Sequence, residues 1–480
     1  MRLVSRLILC GLMASSLVRA QQAPTAPSQP AVLTADEDHK RIMDLLKISG
    51  FPPGANPSSP DTYNEALASP YPTLPDPLTM KNGQKVMTAA MWRTRRTELI
   101  DVFEREIYGR RPANIPKVSW QVVNTSHETN GSVATVTRQL LGRVDNSAYQ
   151  AISVNIQAIL TLPASVRERV PVIIQFGGGT FDLPANVSTS ANPCQLPGAG
   201  RGAPPPAPPA ASGAPQELTW QQQILSRGWG YVNLNVGSVQ GDCGAGLQAG
   251  IIGLVNKGQP RKLDDWGGLS AWGWGGSRVL DYLETDAAVD ASRVGVQGHS
   301  RAGKAALVAM ALDERFAIGY ISSSGQGGAK LHRRKYGETI ENLATRFYYW
   351  MGANYLKYTG RWDALPVDSH ELIALCAPRP VFISAGNGPG PLNPDGTVSI
   401  NDAWVDPRGS FLATVAAGPV YRLLGRTDLG TSEFPAIDTA VISGDLGFRQ
   451  HTAGHTPNPT WPTFLTFADR YFSGTRSAAR

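Results

Sequence analysis

Cysteine is scarce in this chain of 480 residues, with only four, at positions 10, 194, 243 and 376. That is too few to staple a fold of this size, so stability must come from a hydrophobic core, for which the length is ample. Charge is sparse as well: Asp, Glu, Lys and Arg make up 17%, and no dense run of Lys and Arg occurs. The formal charge of +6 includes Arg2, Arg6 and Arg19, so the chain beyond residue 20 carries only +3. A nucleic-acid partner needs a concentrated basic footprint, and none is visible. No internal repeat is present, which excludes a solenoid or propeller. The apolar stretch 7–17 falls short of the roughly 18 residues a membrane span requires, so no membrane association is expected.

What is present at the start is the pattern of an export signal over 1–20. Arg2 and Arg6 form a basic end, 7–17 an apolar middle, and Val18-Arg19-Ala20 a cleavage site. Residues 21–37, rich in Pro, Ala, Gln and Ser, read as a disordered leader. A single domain then runs over 38–474, interrupted by a Pro-rich insertion at 197–215. The expected location is secreted or periplasmic. There Cys194 and Cys243, both in Gly- and Pro-rich surroundings, could pair, while Cys376 reads as core.

The hydrophobic period changes along the chain. Helical spacing predicts helices over 38–49 and 92–108, and later over 273–286, 301–312, 408–424 and 461–472. Alternation predicts half-buried antiparallel strands at 118–123, 132–140 and 151–160. Runs apolar throughout follow at 170–176, 230–236, 293–297, 317–322, 380–385 and 439–442. Such runs, separated by helices, mark a parallel sheet covered on both faces. The expected fold is therefore α/β, a three-layer sandwich with a mostly parallel central sheet and antiparallel N-terminal strands.

One junction carries chemistry. Arg293-Val294-Gly295-Val296-Gln297 leads through Gly298-His299-Ser300-Arg301-Ala302-Gly303-Lys304 into the helix 301–312. A serine on a strand–turn–helix corner flanked by small residues is the nucleophile elbow of an α/β-hydrolase. The second glycine stands three residues after Ser300, with Ala302 in its usual place. A serine that merely caps the helix needs far less context.

The triad partners should follow in the order Ser, acid, His. His455, in a loop near the C-terminus, is the expected general base, with His451 as alternative. Their H-x-x-x-H spacing also fits a zinc pair, but Gly454 and Pro457 argue against the helix it needs, and no metal or other cofactor is expected. Asp402 is the preferred acid, since the alternative, Asp406, precedes Pro407 and could cap a helix. Gly177-Gly178-Gly179 after the strand 170–176 would bring backbone N–H groups to an oxyanion, with Gly178 and Arg301 as its donors. No Lys-Ser/Thr completes a phosphate loop there.

The elbow resembles the Gly-Cys-Ser-Arg-x-Gly-Lys signature of glucuronoyl esterases, carbohydrate esterase family 15, and the bacterial branch looks most similar. Ser324-Gly325-Gln326-Gly327-Gly328-Ala329, Asp368-Ser369-His370-Glu371-Leu372, Ala377-Pro378-Arg379-Pro380 and Trp404-Val405-Asp406-Pro407 extend the resemblance. It implies a metal-free serine esterase cleaving esters of (4-O-methyl-)glucuronic acid, the substrate being the glucuronoxylan–lignin ester. By position it implies Ser300 as nucleophile, His455 as base, Arg301 at the oxyanion, Lys304 and Glu341 on sugar hydroxyls, and Trp404 against the glucuronate ring. Ser323 stands where many members carry the catalytic glutamate, so the acid must come from Asp402 or Asp406. His299 replaces the common cysteine.

Two other functions fit the same features: an acetyl xylan or other carboxylesterase, and an inactive carbohydrate-binding descendant. The expected state is a monomer.

Overall fold

Strands apolar at every position need cover on both faces, and the middle of this chain supplies them. The computed structural model describes residues 32–56, 63–69, 71, 73–165, 168–190, 193–194, 217–388 and 402–473. The expected export signal, residues 21–31 of the expected leader and the insertion 197–215 lie outside the described residues. Among those described, nine strands form one sheet in the order β1-β2-β3-β5-β4-β6-β7-β8-β9. They are β1 (Val118–Asn130), β2 (Val133–Val144), β3 (Asn155–Pro163), β4 (Val170–Phe176), β5 (Gly230–Asn235), β6 (Val289–His299), β7 (Ile318–Ser322), β8 (Val381–Gly386) and β9 (Leu446–His451). The pairs β1–β2, β2–β3 and β3–β5 are antiparallel, and every later pair is parallel.

Among the described residues ten α-helices accompany the sheet: α1 (Ala35–Leu46), α2 (Ala89–Phe103), α3 (Trp220–Leu225), α4 (Gly250–Val255), α5 (Gly268–Thr285), α6 (Arg301–Leu312), α7 (Ile340–Arg346), α8 (Ser369–Ala374), α9 (Pro407–Leu423) and α10 (Trp461–Phe472). The period-2 pleat sorts each strand between two cores. Ile173, Ile318, Tyr320 and Phe382 pack with Phe464 and Phe467 of α10. Their neighbours Val172, Ile174, Ile321 and Ile383 join the larger core with α5, α6, α8 and α9. Complete burial of one such side chain is worth about 1.5–3 kcal/mol. The sequence expectation of an α/β three-layer architecture is thus met. No helix among the described residues is long and apolar enough to cross a membrane.

Three boundaries differ instructively. The helix expected from residue 38 begins at Ala35, because Thr34 and Glu37 form a reciprocal cap. The helix expected over 92–108 ends at Phe103, and Glu104–Tyr108 continues as a wider turn up to Gly109. Gly109 has φ of 79°, and a Cβ there would lie 2.1 Å from the Asp265 carbonyl. The expected strand at 439–442 is not one: Val441 makes only an isolated bridge to Phe448, and β9 pairs with β8 instead. Its Leu-Gly-Phe-Arg-Gln-His sequence hides the signal, because Gly447 must admit the Phe382 and Phe467 rings.

Candidate active site

β6 is a central strand, flanked by β4 and β7, and its C-terminal end delivers Ser300 to the sheet's edge. Ser300 has φ of 59° and ψ of −129°, a conformation that costs a non-glycine residue about 1–3 kcal/mol. It is held there by its N–H bonding to the Ser322 carbonyl at 2.9 Å and by its own carbonyl accepting from Lys304 N at 3.1 Å. The shifted glycine now has a reason. A Cβ on Gly303 would sit 2.8 Å from the Ser322 carbonyl and 3.0 Å from that of Gly298, and a Cβ on Gly298 would strike the Ala302 carbonyl at 2.1 Å. The helix presses on the strand through residues 298 and 303, so Ala302 is tolerated and Gly303 is required.

Asp402 is fully buried in a short helical turn beyond β8. Its Oδ1 accepts from His455 Nδ1 at 2.6 Å, and its Oδ2 accepts from Ser323 Oγ at 2.6 Å and from Gly386 N at 2.7 Å. Gly386 makes this approach possible, since a Cβ there would meet Asp402 Oδ2 at 2.6 Å. His455 hangs from the loop after β9, its side chain 25% exposed. The carboxylate is thus anchored on one oxygen and presents the other to the imidazole.

The alternatives go elsewhere. Asp406 caps α9 through Gly409 N and pairs with Arg334 Nε at 2.8 Å; burial pushes its carboxyl up against the pull of Arg334 and Lys330. His451 ends β9, buried, with its Nδ1 accepting from Ala453 N at 3.2 Å.

On the other side, β4 pairs with β6 through Gln175 and Gln297. Gly177 donates its N–H to the Leu234 carbonyl at 2.9 Å, whereas Gly178 is exposed with φ of 70°. Gly179 packs too close to β5 for any side chain, its Cβ position lying 2.2 Å from the Asn233 carbonyl.

Arg301 opens α6 at the surface. Its guanidinium bonds Asp242 at 2.6 Å and lies 5.0 Å from the Trp350 ring centre. Asp242 also accepts from Trp350 Nε1 at 2.6 Å, and its neighbour Cys243 is disulfide-bonded to Cys194. Cys376 is buried, and burial raises its thiol to about 12.

Two expected sugar contacts are placed differently. Lys304 is 3% exposed, and its ammonium donates to the Ser324 carbonyl at 2.7 Å, the Gln326 carbonyl at 2.6 Å and Glu338 Oε2 at 2.7 Å. All three hydrogens are engaged within the protein, and burial lowers its pKa despite Glu338. Glu341 instead accepts from Gly360 N and Trp362 Nε1, each at 2.7 Å, which anchors the segment 360–362. The residue brought to Lys304 is Glu338, whose own N–H bonds the Trp404 carbonyl at 2.8 Å. The difference arises from where α7 begins. A helix starting at Glu338 would leave Glu341 one turn further along the same face, but Thr339 caps α7 and leaves Glu338 outside it. Trp404 is half-buried on the same turn as Asp402. Ser323, Glu338 and Asp242 are thus members of this neighbourhood whose contacts no local motif announced.

Comparison with known proteins follows the geometry. The family model described as glucuronyl esterase, fungi, matches residues 261–425. Carbohydrate esterase MZ0003, from an unknown prokaryotic organism, is 31% identical over 447 residues, covering 86% of this chain and 92% of its own length. A 4-O-methyl-glucuronoyl methylesterase of Cerrena unicolor is 27% identical, covering 86% of this chain and 70% of its own. Among solved structures, a CE15 glucuronoyl esterase from Teredinibacter turnerae T7901 shares 37% identity with a TM-score of 0.77, over 91% of this chain and 100% of its own. Alignments of this identity along nearly the whole of both chains, on one fold, place the chain in the glucuronoyl esterases of carbohydrate esterase family 15, carboxylic ester hydrolases with the α/β-hydrolase fold.

Proposed function

We propose that this protein hydrolyses esters joining (4-O-methyl-)glucuronic acid of glucuronoxylan to lignin alcohols, through an acyl-enzyme on Ser300. The observation that carries the reading is the Asp402–His455 pair, one carboxylate oxygen on the imidazole at 2.6 Å and the other fixed by Ser323 and Gly386, with the imidazole packed on His299, the residue before the strained Ser300. The hydrogen bond to Asp402 sets the His455 tautomer so that Nε2 is free to take the Ser300 proton. Ser300 Oγ attacks the uronate carbonyl carbon, and its proton passes to His455. The oxyanion is met by the N–H of Gly178 and by Arg301, whose charge is useful only once the carbonyl oxygen becomes negative. The C–O bond to the alcohol then breaks, and His455 returns the proton to the departing oxygen. Water repeats the sequence on the acyl-enzyme and releases the acid. Glu338 and the face of Trp404 take the sugar, and Lys304 holds Glu338 from behind.

The Cys194–Cys243 disulfide supports a secreted or periplasmic location, where such bonds persist. The test is hydrolysis of benzyl glucuronate beside an acetyl ester, with Ser300→Ala as control. Ser300-dependent cleavage of the uronate ester supports the reading. Cleavage of the acetyl ester alone would overturn the substrate and keep the serine esterase. Activity on neither would point to a carbohydrate-binding protein.

A further inference from the structure

His299, the residue before Ser300, is absent from the mechanism above, yet its ring packs against that of His455. The two ring centres are 4.4 Å apart with a tilt of 52°. His299 is itself fixed: its Nδ1 is 3.1 Å from Ser322 Oγ, and Ser322 is the residue whose carbonyl holds the Ser300 N–H. One residue of β7 therefore sets both the nucleophile's backbone and the ring beside it. The rest of the His299 ring is buried and faces the backbone of His455, so the ring sits between the nucleophile's strand and the loop that carries the base.

We propose that His299 is a positioning residue for the general base, a wall that stops the His455 imidazole from turning away from Asp402. This rests on the reading of His455 as base. His455 projects from a loop and has a side chain 25% exposed, so Asp402 alone holds one edge of the ring and leaves rotation about the hydrogen-bond axis open. The tilted ring of His299 closes that freedom from the side. Its protonation would place a second cation against the imidazolium that forms during attack. Burial, then the neighbouring His455, pushes its pKa down to about 3, which keeps the wall neutral at working pH. Ser300 follows His299 directly in the chain, so the wall and the nucleophile move as one unit.

The variants are His299→Ala, which removes the wall, and His299→Phe, which keeps a ring but not the bond to Ser322. His299→Ala is expected to lower kcat on benzyl glucuronate at least tenfold with KM within twofold, and His299→Phe to recover most of it. The decisive readout is the low-field proton resonance of the His455 Nδ1–H, bonded to Asp402. It is expected in the parent and in Ser300→Ala, broadened or lost in His299→Ala, and retained in His299→Phe. Retention of that resonance in His299→Ala overturns the proposal, whether or not kcat falls. If His299→Ala does not fold, Ser322→Ala, which frees the ring, carries the same expectation in weaker form. A parent enzyme inactive on uronate esters would defeat the substrate reading, while the resonance would still decide the role of His299.

Discussion

Ser323 donates its hydroxyl to Asp402 Oδ2 at 2.6 Å, across a gap of 79 residues in sequence. Ser323 has φ of 44° and bonds its N–H to the Ser384 carbonyl at 2.7 Å, so it occupies the end of β7 in a fixed, unusual conformation. Ser323 is thus a donor to an acid supplied from the segment beyond β8. A hydrogen bond to a charged group is worth about 1.5–3 kcal/mol. Ser323→Ala should therefore lower kcat about tenfold or more, with little change in KM. Asp402→Asn, which reverses the tautomer preference of His455, should cost on the order of 10³–10⁴ in kcat. Equal activity of Asp402→Asn and the parent would remove Asp402 from the triad.

Lys304 and Glu338 form a buried pair, and breaking one partner leaves the other uncompensated. Lys304→Met should destabilise the protein by roughly 3–5 kcal/mol in chemical denaturation. A variant of unchanged stability that loses only substrate affinity would show Lys304 to be a ligand contact after all.

The elbow offers a contrast between neighbours. Gly303→Ala forces a methyl toward the Ser322 carbonyl at 2.8 Å and should cost about 1–3 kcal/mol together with much of the activity. Ala302→Gly, one residue earlier, should keep activity within a few-fold and lose only about 1 kcal/mol of helix propensity. The two melting curves, compared with the parent, decide it.

Stability should fall with acid. His332 is buried between Asp368, Lys330, Arg333 and Lys304, and burial lowers its pKa from 6.5 to about 4. The unfolded chain therefore binds a proton that the native state refuses over this window. The contribution is full above pH 6.5, declines as pH falls, and is lost by about pH 4; His299 extends the same trend to about 3. Melting temperature should drop over that range, and His332→Gln should flatten the slope. An unchanged slope in that variant would assign the acid sensitivity to other groups.

How far the chain could be read in advance depended on whether a residue's partner was local. Residues 293–312 were legible because strand, turn and helix are contiguous there, and the structure places α6 at Arg301–Leu312 as the periodicity requires. β4 was equally plain, since a strand covered on both faces is apolar throughout. β9 was not, because Gly447 serves rings from β8 and α10 that no window of sequence contains. Which of Glu338 and Glu341 meets Lys304 depends on where α7 starts, and the cap at Thr339 that decides it is not plain in the sequence. Asp406 is set apart from Asp402 locally by Pro407, and it does cap α9, while the partners that finish the distinction, Arg334 and His455, are distant in sequence.

The disulfide between Cys194 and Cys243 spans 49 positions of sequence and encloses β5 together with the proline-rich insertion. In the chain-entropy description, closing a loop of that length restricts the unfolded chain by about 4 kcal/mol. It also makes the polypeptide topologically a ring at this point. A protease that severs the backbone once between the two cysteines leaves a single covalent molecule, with β5 still tied to both sides of the cut. Both cleavage and reduction are needed to break the covalent link between the segment before the cut and the part that bears the serine.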